Sequence, residues 1–228
     1  MGRESAVTET RHTTRAPLLP DSARKRLVED LRRQGVQDES VLRAIGKVPR
    51  HVFVSEGMRW RAYENTALPI GQAQTISQPL VVGLMTQALL ADGARKRVLE
   101  VGTGCGYQAA VLAEVVERVF TVERIRVLSM QARDTLKQLH YRNIVFNYGD
   151  GMAGWAGHAP YDGIVVTAGT ATVPSAFVNQ LSVGGRIVMP LGGKGAQQLV
   201  ILDKQSDGSL SRRDLQGVAF VPLMAGKA

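Results

Sequence analysis

The chain has 228 residues, 44% of them hydrophobic, with a mean hydropathy of −0.05; these totals suit a folded domain with a real core and exclude a disordered chain. Its 28 lysines and arginines against 20 acidic residues give a net charge of +8 and a pI of about 10.0. No run of about 20 apolar residues predicts a membrane span, the start MGRESAVTETRHTTR lacks the apolar core of a secretory signal, and Ala6 stands where a myristoylation signal needs Ser or Thr.

A single cysteine, Cys105, excludes an internal disulfide and a cysteine-built zinc site. The histidines His12, His51, His140 and His158 are scattered and show no metal-ligand spacing. Together these features predict a cytoplasmic protein. The positive charge is dispersed, and the basic triple Arg24-Lys25-Arg26 has no interleaved aromatic residues on which bases could stack. No nucleic acid and no membrane are therefore expected as partners.

In chain order, residues 1–20 are polar and without period, which predicts a disordered tail. Residues 21–228 are expected to form one domain, with a helical N-terminal segment and substrate loop over 21–77 and a cofactor-binding core over 78–228. Asp21 or Ser22 can cap a first helix carrying Leu27, Val28 and Leu31 and ending near Gly35. Asp38 can cap a second, with Val41, Leu42 and Ile45, that stops before Pro49. Residues Ser55 to Ile76 are read as largely irregular, a binding loop with apolar anchors Leu68 and Ile70. An apolar helix is predicted over Gln78–Ala91, with Ser77 as its N-cap and Pro79 in its first turn.

From there strands and helices alternate. Strands are predicted at Arg97–Val101, Val119–Val122, Ile144–Phe146, Tyr161–Val166 and Arg186–Pro190. Helices are predicted at Tyr107–Val116, Ile125–Leu139 and Pro174–Leu181. This alternation predicts an α/β fold, a mainly parallel sheet with helices on both faces. Two last strands, Leu199–Leu202 and Val218–Val221, have no helix of useful length before them, so an antiparallel edge is expected near the C-terminus.

Ligands of such a sheet bind beyond the carboxyl ends of its strands. The turn after the first core strand reads Gly102-Thr103-Gly104-Cys105-Gly106. A dinucleotide fingerprint would place its third glycine at position 107, which is Tyr107, and the Lys and Ser/Thr of a phosphate-binding loop are missing. The turn therefore fits a nucleoside cofactor without a pyrophosphate, and S-adenosylmethionine is the choice once its neighbours are added. Glu123 ends the second core strand, where a carboxylate can accept from both ribose hydroxyls. Asp150, between Gly149 and Gly151, can accept from an adenine amino group. Glu100 lies inside its strand and is read as orienting the turn or the cofactor. Cys105 is read as small-residue packing, since no base stands near it in sequence.

The chain resembles the protein-L-isoaspartate O-methyltransferase family of bacteria. The likeness covers nearly everything after the tail. It rests on Val48–Val54, Tyr63–Ile70, Gln74-Thr-Ile-Ser-Gln-Pro79, Val98–Ala113, Val122-Glu-Arg124, Gly149-Asp-Gly151, Ala159–Asp162, Val166-Thr-Ala168 and Phe220–Leu223. The Thr-Ile-Ser-Gln-Pro element is specific, whereas the glycine turn is shared by many methyltransferases. The resemblance implies a Rossmann-like methyltransferase fold. It also implies methylation of the free α-carboxylate of L-isoaspartyl residues in damaged proteins and peptides, with S-adenosylhomocysteine as the second product. Ser77 is then the catalytic residue, and Gln74, Thr75, Ile76, Gly102, Thr103, Gly104, Glu123, Asp150 and Gly151 hold the cofactor. A monomer is expected.

Two positions depart from the family. Ala73 stands where glycine is usual, and an alanine is strained there if φ must be positive. Cys105 replaces a usual serine. Among rival readings, an amino-directed enzyme would carry Asn/Asp-Pro-Pro-Tyr/Phe where Val165-Val-Thr-Ala-Gly169 stands. A pyrimidine C5 enzyme would need a cysteine after a proline. A nicotinamide oxidoreductase is disfavoured by Tyr107, and a basic nucleic-acid module would show salt-dependent binding.

Overall fold

The computed structural model describes residues 20–93, 95–193 and 195–228. The expected tail lies outside the described residues, apart from Pro20. That proline opens α1 (Pro20–Arg33), so Asp21 sits in the first turn rather than capping it. Leu27 and Leu31, one turn apart, are buried, and Gly35 ends the helix at φ 105°. Asp38 caps α2 (Glu39–Lys47), its carboxylate accepting from the Ser40 and Val41 amides, and Val48 leaves the helix in extended geometry before Pro49.

The segment expected to be irregular is more ordered than that. It contains a 3-10 turn at Glu56–Arg61 and a hairpin of β1 (Leu68–Gly71) and β2 (Gln74–Ile76). Strands of three or four residues leave too little alternation to be seen in sequence. Gly71 pairs with Gln74, so the loop is Gln72-Ala73, and both residues have positive φ, 51° and 53°. That is the pattern of a type I′ hairpin turn, which favours glycine. Ala73 therefore carries the strain its sequence position threatened. Ala73→Gly is expected to raise unfolding stability by about 0.5–1 kcal/mol, read from chemical denaturation midpoints at unchanged slope. The next helix, α3 (Pro79–Leu90), starts with Gln78 at the N-cap and no capping side chain. Ser77 thus falls one residue short of the capping role expected of it.

The core sheet has the order β5-β4-β3-β6-β7-β8-β9. Its strands are β3 (Arg97–Val101), β4 (Arg118–Glu123), β5 (Ile144–Tyr148), β6 (Tyr161–Val166), β7 (Leu181–Gly193), β8 (Ala196–Lys204) and β9 (Leu210–Val218). The first five run parallel, and β8 and β9 pair antiparallel, as expected of the edge. Connecting helices are α4 (Tyr107–Ala113), α5 (Arg126–Gln138) and α6 (Ser175–Gln180). Along β3, Val98 joins one apolar cluster and Leu99 and Val101 the other, and β4, β6 and β7 alternate likewise. Period-2 alternation of wholly apolar strands is what a sheet covered on both faces requires.

One predicted strand is misplaced. Residues Val218–Val221 do not form the last strand, which ends at Val218. The real edge strand is mostly exposed and reads Leu-Ser-Arg-Arg-Asp-Leu-Gln-Gly-Val, a charged composition that protects a sheet edge from further pairing. After β9 the chain instead runs back across the sheet. Gln197 on β8 holds the Phe220 backbone at both its N–H (2.8 Å) and its carbonyl (3.1 Å). Gly169, just past β6, holds Val221 and Leu223. Gly226 reaches Asp150, and Ala228 pairs with Arg124 and Arg126.

Candidate active site

From β3 the chain steps outward to β4 and β5 and then crosses back to β6 on the other side of β3, so the strand order reverses there. A crevice opens at its carboxyl end. The glycine turn sits in this crevice. Gly102 has φ 96°, and a Cβ there would collide with the Thr167 hydroxyl at the end of β6. Gly106 has φ 92° immediately before α4, and a Cβ would lie 2.8 Å from Leu136 on α5. Both positions need glycine for conformation and for space.

Glu123 braces the turn. Its Oε2 accepts from the Gly104 amide and its Oε1 from the Ile125 amide, each at 2.8 Å. A carboxylate oxygen has two lone pairs, so each keeps acceptor capacity for a further donor. Behind the turn the Thr103 hydroxyl pairs with that of Thr121 at 2.6 Å, and Thr121 donates to Glu100 Oε2. Glu100 is fully buried and its Oε1 has no partner, so burial pushes its carboxyl up to about 8. A carboxyl with a raised native pKa binds its proton more tightly folded than unfolded. Stability is then highest below the unfolded value near 4.5 and declines as pH rises toward 8. Glu100→Gln is expected to flatten that decline in melting temperatures measured from pH 5 to 8. Burial likewise holds Cys105 as a neutral thiol, pushed up to about 11, which accords with packing rather than chemistry.

Two chambers flank the hairpin strand β2. The first encloses about 830 Å³ including its open mouth, within the size range of nucleoside-scale sites. Gln74, Thr75, Ile76, Ser77, Gly102, Thr103, Gly104, Glu123 and Gly151, all expected from the sequence, line it. Asp150 does not. Its Oδ1 accepts from the Met152 amide and its Oδ2 from Gly226, both at 2.8 Å. It therefore orients the Gly151 turn and ties down the returning chain. The second is an open hollow of about 1140 Å³ including its mouth, bounded by Gln78, Val81, Gln197 and the stretch Gln216–Val221.

Four residues line both chambers: Thr75, Ser77, Thr167 and Val221. Of these, Thr167 and Val221 were not anticipated as site residues, nor was Tyr107, a wall of the first chamber. Thr167 donates to the carbonyls of Val101 and Gly102 at 3.1 and 2.6 Å and so locks the turn to β6. Its place beside Gly102 depends on the β3–β6 pairing, which sequence alone does not disclose. Ser77 is half-buried, and its carbonyl accepts from Arg50 at 2.8 Å. Among the described residues no side chain hydrogen-bonds its hydroxyl. The arrangement offers donors and a tight joint between two ligand spaces, with no base set to ionise the serine. Among the described residues no group of His, Cys, Asp and Glu is arranged to hold a metal ion.

Comparison with known proteins agrees with this geometry. The family described as protein-L-isoaspartate(D-aspartate) O-methyltransferase matches residues 22–228. A protein-L-isoaspartate O-methyltransferase of Halorhodospira halophila is 53% identical over 204 residues, covering 90% of this chain and 92% of that one. Another, of Pseudomonas paraeruginosa, is 51% identical over 203 residues, 89% and 96% of the two chains. A solved protein-L-isoaspartate O-methyltransferase superposes with a TM-score of 0.80 at 30% identity, over 87% of this chain and 65% of that longer one. A Plasmodium falciparum structure, described as a complex with S-adenosyl-L-homocysteine, shares the fold with a TM-score of 0.76 at 23% identity, over 88% and 98%.

Proposed function

Because the chain belongs to the protein-L-isoaspartate(D-aspartate) O-methyltransferase family, we propose that its two joined chambers hold the two substrates of one methyl transfer. The enzyme methylates the free α-carboxylate of L-isoaspartyl residues in damaged proteins and peptides, with S-adenosylmethionine as donor. Attack of the adjoining backbone nitrogen on the ester expels methanol and closes a succinimide, and hydrolysis of that ring can restore normal aspartate.

The observation that carries the assignment is the set of residues shared by the chambers, with Ser77 among them. The first chamber suits the cofactor. Glycine leaves room at position 102 that any Cβ would fill, and Glu123 retains acceptor capacity for ribose hydroxyls. Gly102, Thr103, Gly104, Glu123, Gly151 and the Gln74–Ile76 strand would hold it, with Asp150 fixing the Gly151 turn. The bound cofactor supplies an electrophilic methyl group on a sulfonium. The acceptor carboxylate has an ordinary pKa near 4 and is already ionised at neutral pH. What the chain must do is align it, strip it of water and keep the second chamber closed to competing nucleophiles. Ser77 is placed to donate to that carboxylate, as a positioning donor and not a nucleophile.

Incubation with labelled S-adenosylmethionine and paired isoaspartyl and aspartyl peptides tests the whole reading; label must enter the first peptide only. Residues 21–228 are read as one domain, since both apolar clusters pack on the same sheet. A cytoplasmic monomer that binds no nucleic acid fits the scattered basic charge. Among the described residues no helix is long and apolar enough to cross a membrane. Light scattering and titration with duplex DNA at low salt check the monomer and the lack of nucleic-acid binding.

A further inference from the structure

Among the described residues two arginines are buried, and they are treated in opposite ways. Arg186 on β7 is 3% exposed and fully served: Asp203 accepts from it at 2.6 and 3.1 Å, Asp92 at 2.9 Å, and the Ala88 and Ala91 carbonyls complete the set. Arg50 is 0% exposed and has no ion pair with any described residue. Its Nη2 donates to the carbonyls of Ser77 (2.8 Å) and Thr66 (3.3 Å), while Nε and Nη1 have no hydrogen-bond partner. The guanidinium lies over the Tyr107 ring, 4.6 Å from its centroid. The Tyr107 hydroxyl is close by but forms no hydrogen bond of normal geometry. Neither neighbour neutralises it, because burial pushes Tyr107 up to about 12 and Cys105 up to about 11.

A buried, unneutralised cation with two idle nitrogens, carrying three N–H groups between them, is costly, and proteins retain one only where something offsets it. The residues around Arg50 say where the offset comes from. Ser77, Cys105 and Tyr107 all line the first chamber. We propose that Arg50, which lies behind the wall formed by Ser77 and Tyr107 and does not itself line the chamber, is a positioning residue for a carboxylate, its charge offset through that wall when a ligand carboxylate enters. The inference rests on the two-substrate reading above, in which two carboxylates arrive: the amino-acid end of the cofactor and the isoaspartyl α-carboxylate. Arg50 acts through the elements it holds, the Ser77 carbonyl on one side and the Tyr107 ring on the other.

The test uses the full chain with Arg50→Gln and Arg50→Lys. It measures dissociation constants for S-adenosylhomocysteine and for its decarboxylated analogue, and KM and kcat for an isoaspartyl peptide. If the cofactor supplies the carboxylate, Arg50→Gln weakens S-adenosylhomocysteine by about tenfold or more and the analogue by no more than about twofold. If the acceptor supplies it, the nucleosides are unaffected and peptide KM rises by about tenfold with kcat held within about threefold. Arg50→Lys keeps the charge but gives up the stack on Tyr107 and the fork geometry, so its constants fall between those of the parent and of Arg50→Gln in either case. Equal weakening of both nucleosides with collapse of kcat would mean that Arg50 only braces the loop, and no change in any constant would mean it does nothing here; either overturns the proposal. Should Arg50→Gln fail to fold, Arg50→Met, which keeps an unbranched stem without the charge, takes its place with the same expected and overturning results. The parent protein is the control: if it binds neither nucleoside, the two-substrate reading itself falls, whereas binding without dependence on Arg50 removes only this inference.

Discussion

Replacing Ser77 with alanine is expected to lower isoaspartyl methylation by about 10- to 100-fold, while S-adenosylhomocysteine affinity stays within about twofold. The magnitude follows from the kind of bond removed. A donor to a charged oxygen in a water-poor site is worth about 1.5–3 kcal/mol, more than a neutral pair in water. Ser77 is well placed for that task, because its hydroxyl is committed to no side chain among the described residues and it lines both chambers. The cofactor constants should hold, since the turn is braced by Glu123 and Thr167 rather than by Ser77. A single-turnover methyl-release assay alongside calorimetric titration separates the two effects. Parent-level activity in the variant would remove Ser77 from the chemistry, and parallel loss of both constants would make it a structural residue.

Gly102→Ala is expected to cost about 2–4 kcal/mol of unfolding free energy and about 100-fold or more in cofactor affinity. The new methyl meets the Thr167 hydroxyl, which cannot swing aside without abandoning the Val101 and Gly102 carbonyls. The positive φ of 96° adds its own strain. Gly184→Ala is the matched control, with a positive φ of 74° and nothing within 4 Å of the added Cβ; it should cost only about 1 kcal/mol and leave cofactor binding untouched. Trimming the obstacle with Thr167→Ala in the Gly102→Ala background should recover part of the lost stability. If the double variant is no better than the single, steric conflict at this point is not the cause.

What the residues disclosed depended on how local the determining physics was. Arg97–Val101 and Tyr161–Val166 were bounded correctly because a strand covered on both faces is rich in Val, Leu and Ile, a composition that Glu100 and Asp162 interrupt without hiding. Asp38 was legible as a cap because its partners lie two and three residues on. The edge strand Leu210–Val218 was missed because its fitness lies in being charged, and an apolar reading then chose Val218–Val221, whose apolar residues wall the chambers instead. Asp150 read as a ligand to the cofactor because a carboxylate at a strand end invites that role; one of its two partners, Gly226, is 76 residues away. Nothing in the sequence marks the environment of Arg50, which lies inside the Val48–Val54 stretch. Only packing reveals that it is sealed in without a counter-charge. The glycine turn and the Gln74–Pro79 loop were legible because backbone-adapted motifs must be written in consecutive residues.

The returning chain after β9 has a bearing on the order in which the molecule assembles. Its contacts link residues far apart in sequence: Gln197 with Phe220 is the short one, while Arg124 donates to the Gly226 carbonyl across 102 residues. Closing so large a loop is entropically demanding, and its reward, a few polar contacts and the packing of Phe220 and Leu223 on the apolar clusters, is small beside that of the sheet. The sheet and its helices can therefore consolidate first, leaving the chamber wall formed by Val221–Met224 as a late addition that also opens at low free energy. Competence to hold the methyl donor is thus acquired after the core has formed. A chain that has folded by every bulk measure can still be catalytically unfinished.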